Sequence, residues 1–414
     1  MTERLYYENS FIYDFDAKVV EIIPPSGNES RTALVLDRTA FYPTSGGQVF
    51  DTGLLGFDGR QARVVEVAEV DDGSIRHYVD ALPELKPGTV VHGSVDAERR
   101  RDHMQQHSGQ HVLSAAFVRL FNMATLSFHM GDDYCSIDLD TNKISPEQMQ
   151  AAERLVNEVI LEDRAVEIRF VSHQDARELE LRKMPPAQRE HLRLISIDDF
   201  DLSACGGTHV RRTGQIGCIL LRKTEKVKQG MRVEFVCGQR AVRTARRDYT
   251  TLAECAGLFS SHIWDVPQQI RKSQEEAKAA RRQREHLLEE VAEQHAARMV
   301  SETEPVSGRK VFLRTFADRD LAYIKLLAQK ATRIEPNVIA LLGTTFQPAV
   351  VTAASQGQAL DLGALLKEAL SKHGGRGGGS KDMAQGGVPS AEAVERVLTE
   401  ISHKVRELSQ LGEI

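Results

Sequence analysis

The chain has 414 residues, 41% of them hydrophobic and 27% charged, which fits a globular protein of about two to four domains with sizeable cores. A net charge of -6 excludes a global basic field, so a nucleic-acid partner must be met by local basic patches. No apolar run approaches the roughly 20 residues that span a bilayer, and the odd set of five cysteines (Cys135, Cys205, Cys218, Cys237, Cys255) reads as no disulfide scaffold and matches a reducing compartment. Met1-Thr2-Glu3-Arg4 lacks the pattern of a secretory leader, so the expectation is a cytoplasmic protein with no membrane association.

Residues 1–95 carry short alternating runs, Ala17–Ile23, Thr32–Leu36, Ala62–Val67, Ile75–Val79 and Thr89–Val95. Turn clusters separate them: Pro24-Pro25-Ser26-Gly27-Asn28, Asp71-Asp72-Gly73-Ser74 and Lys86-Pro87-Gly88. This pattern predicts a small β-barrel. Within it, Asp37–Gln48 leaves an apolar strand and ends in Gly46-Gly47-Gln48. Taken alone it reads as a hairpin loop, in which adjacent glycines permit positive φ or close approach to another surface.

Residues 96–240 form the second predicted domain. Asp96–Phe121 has helical periodicity, with His107, His111 and Ser114 on one face. Ser127–Leu139 reads as strand, turn, strand. Ser145, Pro146 and Gln148 form a capping-box start for a helix that runs to about Asp163. Ala165–Val171 and Leu194–Ile197 read as strands, with a helix over His173–Met184 closed by Pro185-Pro186. Ile216–Lys223 and Met231–Cys237 read as paired strands, so the domain is α+β with a largely antiparallel sheet. Residues 241–305 form a long helical, coiled-coil-like segment, since Gln268–Val300 has no glycine or proline. Arg281, Arg282 and Arg284 there read as a solvated face, and helix pairing into a homodimer is the second reading. In residues 306–414, the strands Lys310–Thr315, Val338–Leu342 and Ala349–Ala353 alternate with the helices Leu321–Thr332 and Ala391–Leu408, an α/β order. Seven glycines lie between Lys372 and Gly387, among them Gly377, Gly378 and Gly379 beside Arg376 and Lys381. A flexible linker is the plain reading. Exposed backbone N–H groups beside positive charge favour a loop that holds a phosphate backbone.

Two segments carry metal chemistry. His107-Ser108-Gly109-Gln110-His111 places two imidazoles one helical turn apart, and Cys205-Gly206-Gly207-Thr208-His209 adds a thiolate and a third imidazole across a pair of glycines. Together they are a full tetrahedral set for one Zn²⁺ per chain. Four protein ligands more often describe a structural than a catalytic zinc, so the metal set alone leaves its use open. His103, one turn before His107, reads first as a solvated helix residue and second as an outer support of the ligands.

In this order the motifs resemble the alanyl-tRNA synthetase family. The His-x-x-x-His and Cys-x-x-x-His pair is similar to the signature of its editing domain. Leu36–Gln48 resembles the glycine-rich motif of the preceding barrel, and Gly374–Gly387 the glycine-rich part of the DHH-associated domain. With no aminoacylation unit ahead of residue 1 and no Asp-His-His motif, the chain resembles the free-standing, long-form alanyl-tRNA editing proteins. The resemblance implies a barrel, a zinc-containing α+β editing domain, a long helical segment and a DHH-associated domain. It implies hydrolysis of tRNA(Ala) mischarged with serine or glycine, in which His107, His111, Cys205 and His209 hold zinc. Thr44, Ser45, Gly46, Gly47 and Gln48 would then meet the amino acid, Gln110 and Thr208 the reacting ester or water, and Arg376, Gly377, Gly378, Gly379 and Lys381 the tRNA. The rival expectations are a non-catalytic tRNA-binding protein with structural zinc, and editing of Ser-tRNA(Thr).

Overall fold

A computed structural model of the chain describes residues 2–27, 29–80, 85–182 and 191–410. Asn28 of the first predicted turn, Met184, and the Pro185-Pro186 stop lie outside the described residues. The chain divides into two compact units, Met1–Cys255 and Ala256–Ile414.

Unit 1 opens with β1 (Glu3–Arg4), β2 (Asp14–Ile23), β3 (Thr32–Leu36), β4 (Arg38–Thr39), β5 (Gly53–Phe57), β6 (Arg60–Glu69), β7 (Ile75–Val79) and β8 (Val90–Val95). Six of them close a barrel in the order β2-β3-β7-β6-β5-β8. The alternation of β2 turns Phe15, Ala17 and Val19 inward, where they meet Leu34, Leu36, Leu55, Val64 and Ile75. The short parallel pair β1 and β4 lies outside that ring.

The barrel delivers the chain into α1 (Ala97–Phe121), β9 (Thr125–Met130), β10 (Cys135–Leu139), α2 (Pro146–Leu161), β11 (Val166–Ser172), α3 (His173–Ala176), β12 (His191–Ile197), β13 (Asp201–Ala204), β14 (Ile219–Val227), β15 (Gly230–Cys237) and α4 (Gly238–Leu258). The antiparallel sheet β14-β15-β10-β9 and the smaller sheet β11-β12-β13 pack with α1 and α2 around one core. Asp96 caps α1 by accepting from the N–H groups of Glu98 and Arg99, and Asn122 ends it in left-handed conformation. The capping box at Ser145 and Gln148 is present. The helix expected over His173–Met184 is a single turn, His173–Ala176.

The middle of α1 is buried on every side rather than along one stripe, and His103, expected in solvent, is only 2% exposed. Its polar residues are matched by neighbours. Gln106 donates from Nε2 to the Cys237 carbonyl (3.0 Å) and accepts the Cys237 N–H (2.8 Å), so α1 is registered on β15.

The barrel is tied to α1 by one fully buried ion pair. The Arg100 guanidinium bonds both carboxylate oxygens of Asp51, and donates to the carbonyls of Ser10 (2.7 Å) and Ala40 (2.5 Å). Asp51 in turn accepts the Tyr42 N–H at 2.7 Å. Both ends of the loop 40–51 are therefore held to the helix that carries the histidines.

Unit 2 comprises α5 (Val266–Glu302), β16 (Lys310–Phe316), α6 (Leu321–Ala331), β17 (Val338–Thr344), β18 (Ala349–Ala354), α7 (Leu362–Lys372), β19 (Arg376–Gly379), β20 (Met383–Gly387) and α8 (Ala391–Gln410). Its sheet runs β16-β17-β18-β20-β19. Only β16 and β17 are parallel, so this part is α+β rather than the α/β order expected. Val338, Ala340 and Leu342 of β17 face α6 and the end of α5, while Ile339 and Leu341 face α7 and α8. Positions 270–291 of α5 are exposed throughout.

The glycine-rich segment is a hairpin, not an open loop. β19 pairs with β20 from Arg376↔Gly387 to Gly379↔Ala384. A Cβ on Gly377 or Gly379 would collide with the backbone of β20, and one on Gly386 with Leu370. Close strand and helix packing thus accounts for most of the glycine run. No helix among the described residues is long and apolar enough to cross a membrane.

Candidate metal centre

One ligand atom from each of His107, His111, Cys205 and His209 lies within 4.8 Å of the others, a group that could hold a metal ion. α1 supplies the first two. The other two come from the segment after β13, which Arg193 anchors by donating to the Cys205 carbonyl at 2.7 Å.

Gly207 sets the approach: a Cβ there would occupy the His107 ring. Its backbone is not left-handed. Gly207 thus provides clearance at a bend of the chain. Gly47 does combine positive φ (85°) with close packing on the Phe128 carbonyl, and its own carbonyl accepts the Met130 N–H at 3.2 Å. Phe128 then stacks on His107 at 5.5 Å between centroids.

Each imidazole has an oxygen partner on Nδ1. The Gln48 carbonyl oxygen accepts from His107 Nδ1 at 2.7 Å and from the Thr208 N–H at 3.1 Å. Gln48 Nε2 donates to the Thr208 hydroxyl at 2.8 Å, which fixes the amide orientation. The Ser108 hydroxyl lies 3.1 Å from His209 Nδ1. The Asp201 carboxylate lies 3.4 Å from His111 Nδ1, and is itself bonded by Arg182 (2.7 Å) and Ser203 (2.5 Å). The opposite nitrogens of His107 and His209 sit 3.4 and 3.3 Å from Cys205 Sγ. This is the arrangement of metal ligands oriented by outer partners.

The electrostatics agree at Cys205 and His209, while His111 must give up its proton to an arriving ion. Burial disfavours a Cys205 thiolate, but His107, His209 and His111 outweigh it and hold the thiol well below its usual range. Burial, with His107 adding to it, pushes His209 down to about 3. Burial also opposes charge on His111, yet Cys205 and Asp201 raise it above the ordinary value. Burial disfavours ionisation of Asp201, but its bond to His111 and the Arg182 charge keep the carboxyl well below the usual range. Thiolate and neutral imidazole are the forms that bind metal.

Three of the four, His107, His111 and Cys205, form one wall of a 360 Å³ cleft. Of the residues expected to meet substrate, Ser45, Gly46 and Gln110 line it, and Thr44, Gly47, Gln48 and Thr208 do not. Gln48 and Thr208 are completely buried behind the ligands. Arg376 and Lys381 are exposed on unit 2. Sequence reasoning missed Tyr7, Tyr42, Thr125, Phe128 and Arg182 in the cleft, and Asp201 beneath it. Asp201 carried a signal: a carboxylate four residues before a cysteine ligand.

Residues 2–99 match the family described as tRNA synthetases class II (A), residues 192–233 the threonyl and alanyl tRNA synthetase second additional domain, and residues 309–407 the DHHA1 domain. The alanine–tRNA ligase of Pyrococcus furiosus is 33% identical over 407 residues, covering 96% of this chain and 43% of that protein. That of Thermococcus kodakarensis is 32% identical, with 97% and 43% covered. The chain therefore spans less than half the length of these ligases. The alanyl-tRNA editing protein AlaX-L of Pyrococcus horikoshii is 30% identical over 394 residues, and 94% of this chain and 95% of that protein are covered. The solved C-Ala domain of Aquifex aeolicus alanyl-tRNA synthetase covers 24% of this chain at 19% identity and a TM-score of 0.22.

Proposed function

The chain belongs to the AlaX-L family of alanyl-tRNA editing proteins, and from that premise we propose that it hydrolyses the ester of tRNA(Ala) mischarged with serine, and with glycine as a second substrate. The observation that carries this reading is the cleft itself: three buried histidines and a half-buried cysteine are grouped beside polar and aromatic side chains. A synthetic pocket built for alanine cannot exclude the smaller glycine, and rejects weakly an analogue that only adds a hydroxyl. A hydrolytic site that tests for the hydroxyl completes the discrimination.

The donor set fits zinc. Nitrogen and sulfur ligands of a tetrahedral zinc lie about 3.5 Å apart, against 3.3 and 3.4 Å here. His107, His111, Cys205 and His209 would hold the ion, with Gln48, Ser108 and Asp201 orienting the rings. Zinc so held would supply a fixed positive centre at one wall of the cleft. Because the protein fills all four positions, we favour a role in positioning the 3′ end over one in generating the nucleophile. The aminoacyl ester is already activated, so positioned water suffices.

We assign recognition of the serine hydroxyl to Gln110. Its Nε2 is engaged by Ser114 Oγ at 2.8 Å, and Ser114 also accepts from Thr125 at 2.7 Å. The carbonyl oxygen of Gln110 is then its acceptor for the substrate. Thr208 and Gln48 take positioning roles in place of substrate contact. Residues 1–95, 96–240, 241–305 and 306–414 would act as barrel, hydrolase, helical spacer and DHH-associated domain. In unit 2, Arg376 and Lys381 contact tRNA, and the exposed Leu287, Leu288 and Val291 of α5 pair two chains. A protein that works on charged tRNA would act in the cytoplasm.

The test of this reading is deacylation of Ser-tRNA(Ala) and Ala-tRNA(Ala) by the full chain and its Gln110→Ala variant, with metal content measured in both. Loss of a hydrogen bond to a polar substrate group lowers kcat/KM on the seryl ester by about tenfold to a hundredfold with metal retained. An unchanged serine-to-alanine ratio removes Gln110 from recognition.

A further inference from the structure

Unit 1 has a second cleft, of 950 Å³, between the barrel residues Thr52 and Arg63, the first turns of α1 and the start of α4. Five arginines line it, in a chain whose net charge is -6. Arg240 is paired with Asp102, and Arg99 donates to the Phe50 carbonyl while lying over the Phe50 ring. Arg63, Arg101 and Arg243 are exposed and have no ion-pair partner among the described residues. Arg246 and Arg247 are likewise exposed and unpaired among them, one turn of α4 beyond Arg243 and so on its face.

The carboxylates of the cleft do not cancel this charge. Asp96 is engaged as the cap of α1 and Asp102 by Arg240. Glu98 and Asp132 remain, against three free guanidinium groups in the cleft and two more beside it on α4. Guanidinium forks without carboxylate partners, spread over three elements, suit a row of phosphates better than a single small anion. The cleft is also close to the metal centre along the chain. His103 lines it one turn of α1 before His107, and Thr52 lines it four residues after Gln48.

We propose that this cleft and the adjoining arginines of α4 bind the phosphate backbone of the helical stem of an aminoacylated RNA, so that its charged 3′ end enters the metal cleft. The inference rests on the deacylation reading for the purpose of the contact. The contact itself is tested separately.

The experiment uses the full chain and its Arg101→Ala/Arg243→Ala variant. Binding of uncharged tRNA(Ala) is measured over a salt series, and kcat/KM is measured on Ser-tRNA(Ala) and on 3′-O-seryl-adenosine, which has no stem. Loss of two phosphate contacts reduces the slope of log affinity against log salt by about 1.5 to 2, and weakens binding near 0.1 M salt by at least about tenfold. kcat/KM falls in parallel on the tRNA ester, while the ratio of variant to parent stays near one on seryl-adenosine. The charge-retaining Arg101→Lys/Arg243→Lys variant recovers most of the slope. A parental slope and affinity in the alanine variant overturn the proposal, as does an equal loss on both esters. If the parent hydrolyses neither ester, the deacylation reading fails, and the binding series still decides whether the cleft holds RNA.

Discussion

Replacing Cys205 and His209 together by alanine removes the bound metal and lowers deacylation of Ser-tRNA(Ala) by at least about a hundredfold, the size expected when a several-kcal/mol electrostatic contribution is lost. Both residues come from one short segment, so their removal leaves only His107 and His111 of α1 to meet the ion. The fold itself should persist. His209 keeps its backbone bond to Ser10 Oγ (3.1 Å), and the Cys205 carbonyl keeps its bond from Arg193. Elemental analysis should fall from about one zinc per chain to none, with circular dichroism unchanged. Parental deacylation by a soluble, metal-free variant would falsify the assignment of the site.

The second large effect is on stability. Arg100→Met leaves the Asp51 carboxylate without its countercharge in a fully buried position, since both side chains are 0% exposed. It also strips donors from the Ser10 and Ala40 carbonyls. Breaking a buried pair from one side costs about 3–5 kcal/mol, read as a lower midpoint in chemical denaturation of the full chain. The double variant Arg100→Met/Asp51→Leu should recover part of that loss, because a buried pair replaced by apolar groups is often near neutral. A loss below about 1 kcal/mol in the single variant would mean that the pair is hydrated and does not clamp the barrel to α1. Part of the effect also reaches the site, since Ser10 accepts from the His209 N–H while its carbonyl accepts from Arg100.

What could be read from residues alone follows from how local each signal is. The strands at Thr32–Leu36 and Ile75–Val79 and the capped helix at Pro146 announce themselves within a few positions. So do the four ligands, because two i, i+4 pairs carry the whole set. β5 was missed because Gly53 and Gly56 interrupt its short apolar run. A Cβ on Gly53 would collide with the β8 backbone beside Phe41, so that glycine serves strand pairing. β19 and β20 were missed for the same reason: glycine has little strand propensity, and only the neighbouring backbone explains it. Of the outer partners of the histidines, Gln48 was out of reach because it approaches from a distant part of the chain, whereas Asp201, four residues before Cys205, could have been suspected. Gln48 was expected in the cleft on its motif, and only tertiary contact turns its side chain to His107 and Thr208. His103 was expected in solvent because nothing in its neighbourhood of the sequence pairs with it, whereas α1 is covered on all sides.

The central claim is that this metal cleft deacylates tRNA(Ala) carrying the wrong amino acid. The most direct measurement is deacylation of Ser-, Gly- and Ala-tRNA(Ala) and of Ser-tRNA(Thr), by the protein as purified, after chelation, and after zinc is restored. The account predicts hydrolysis of Ser-tRNA(Ala), weaker hydrolysis of Gly-tRNA(Ala), and sparing of Ala-tRNA(Ala) and Ser-tRNA(Thr), with activity lost on chelation and regained with zinc. Ala-tRNA(Ala) hydrolysed as fast as Ser-tRNA(Ala), or full activity in metal-free protein, would contradict it.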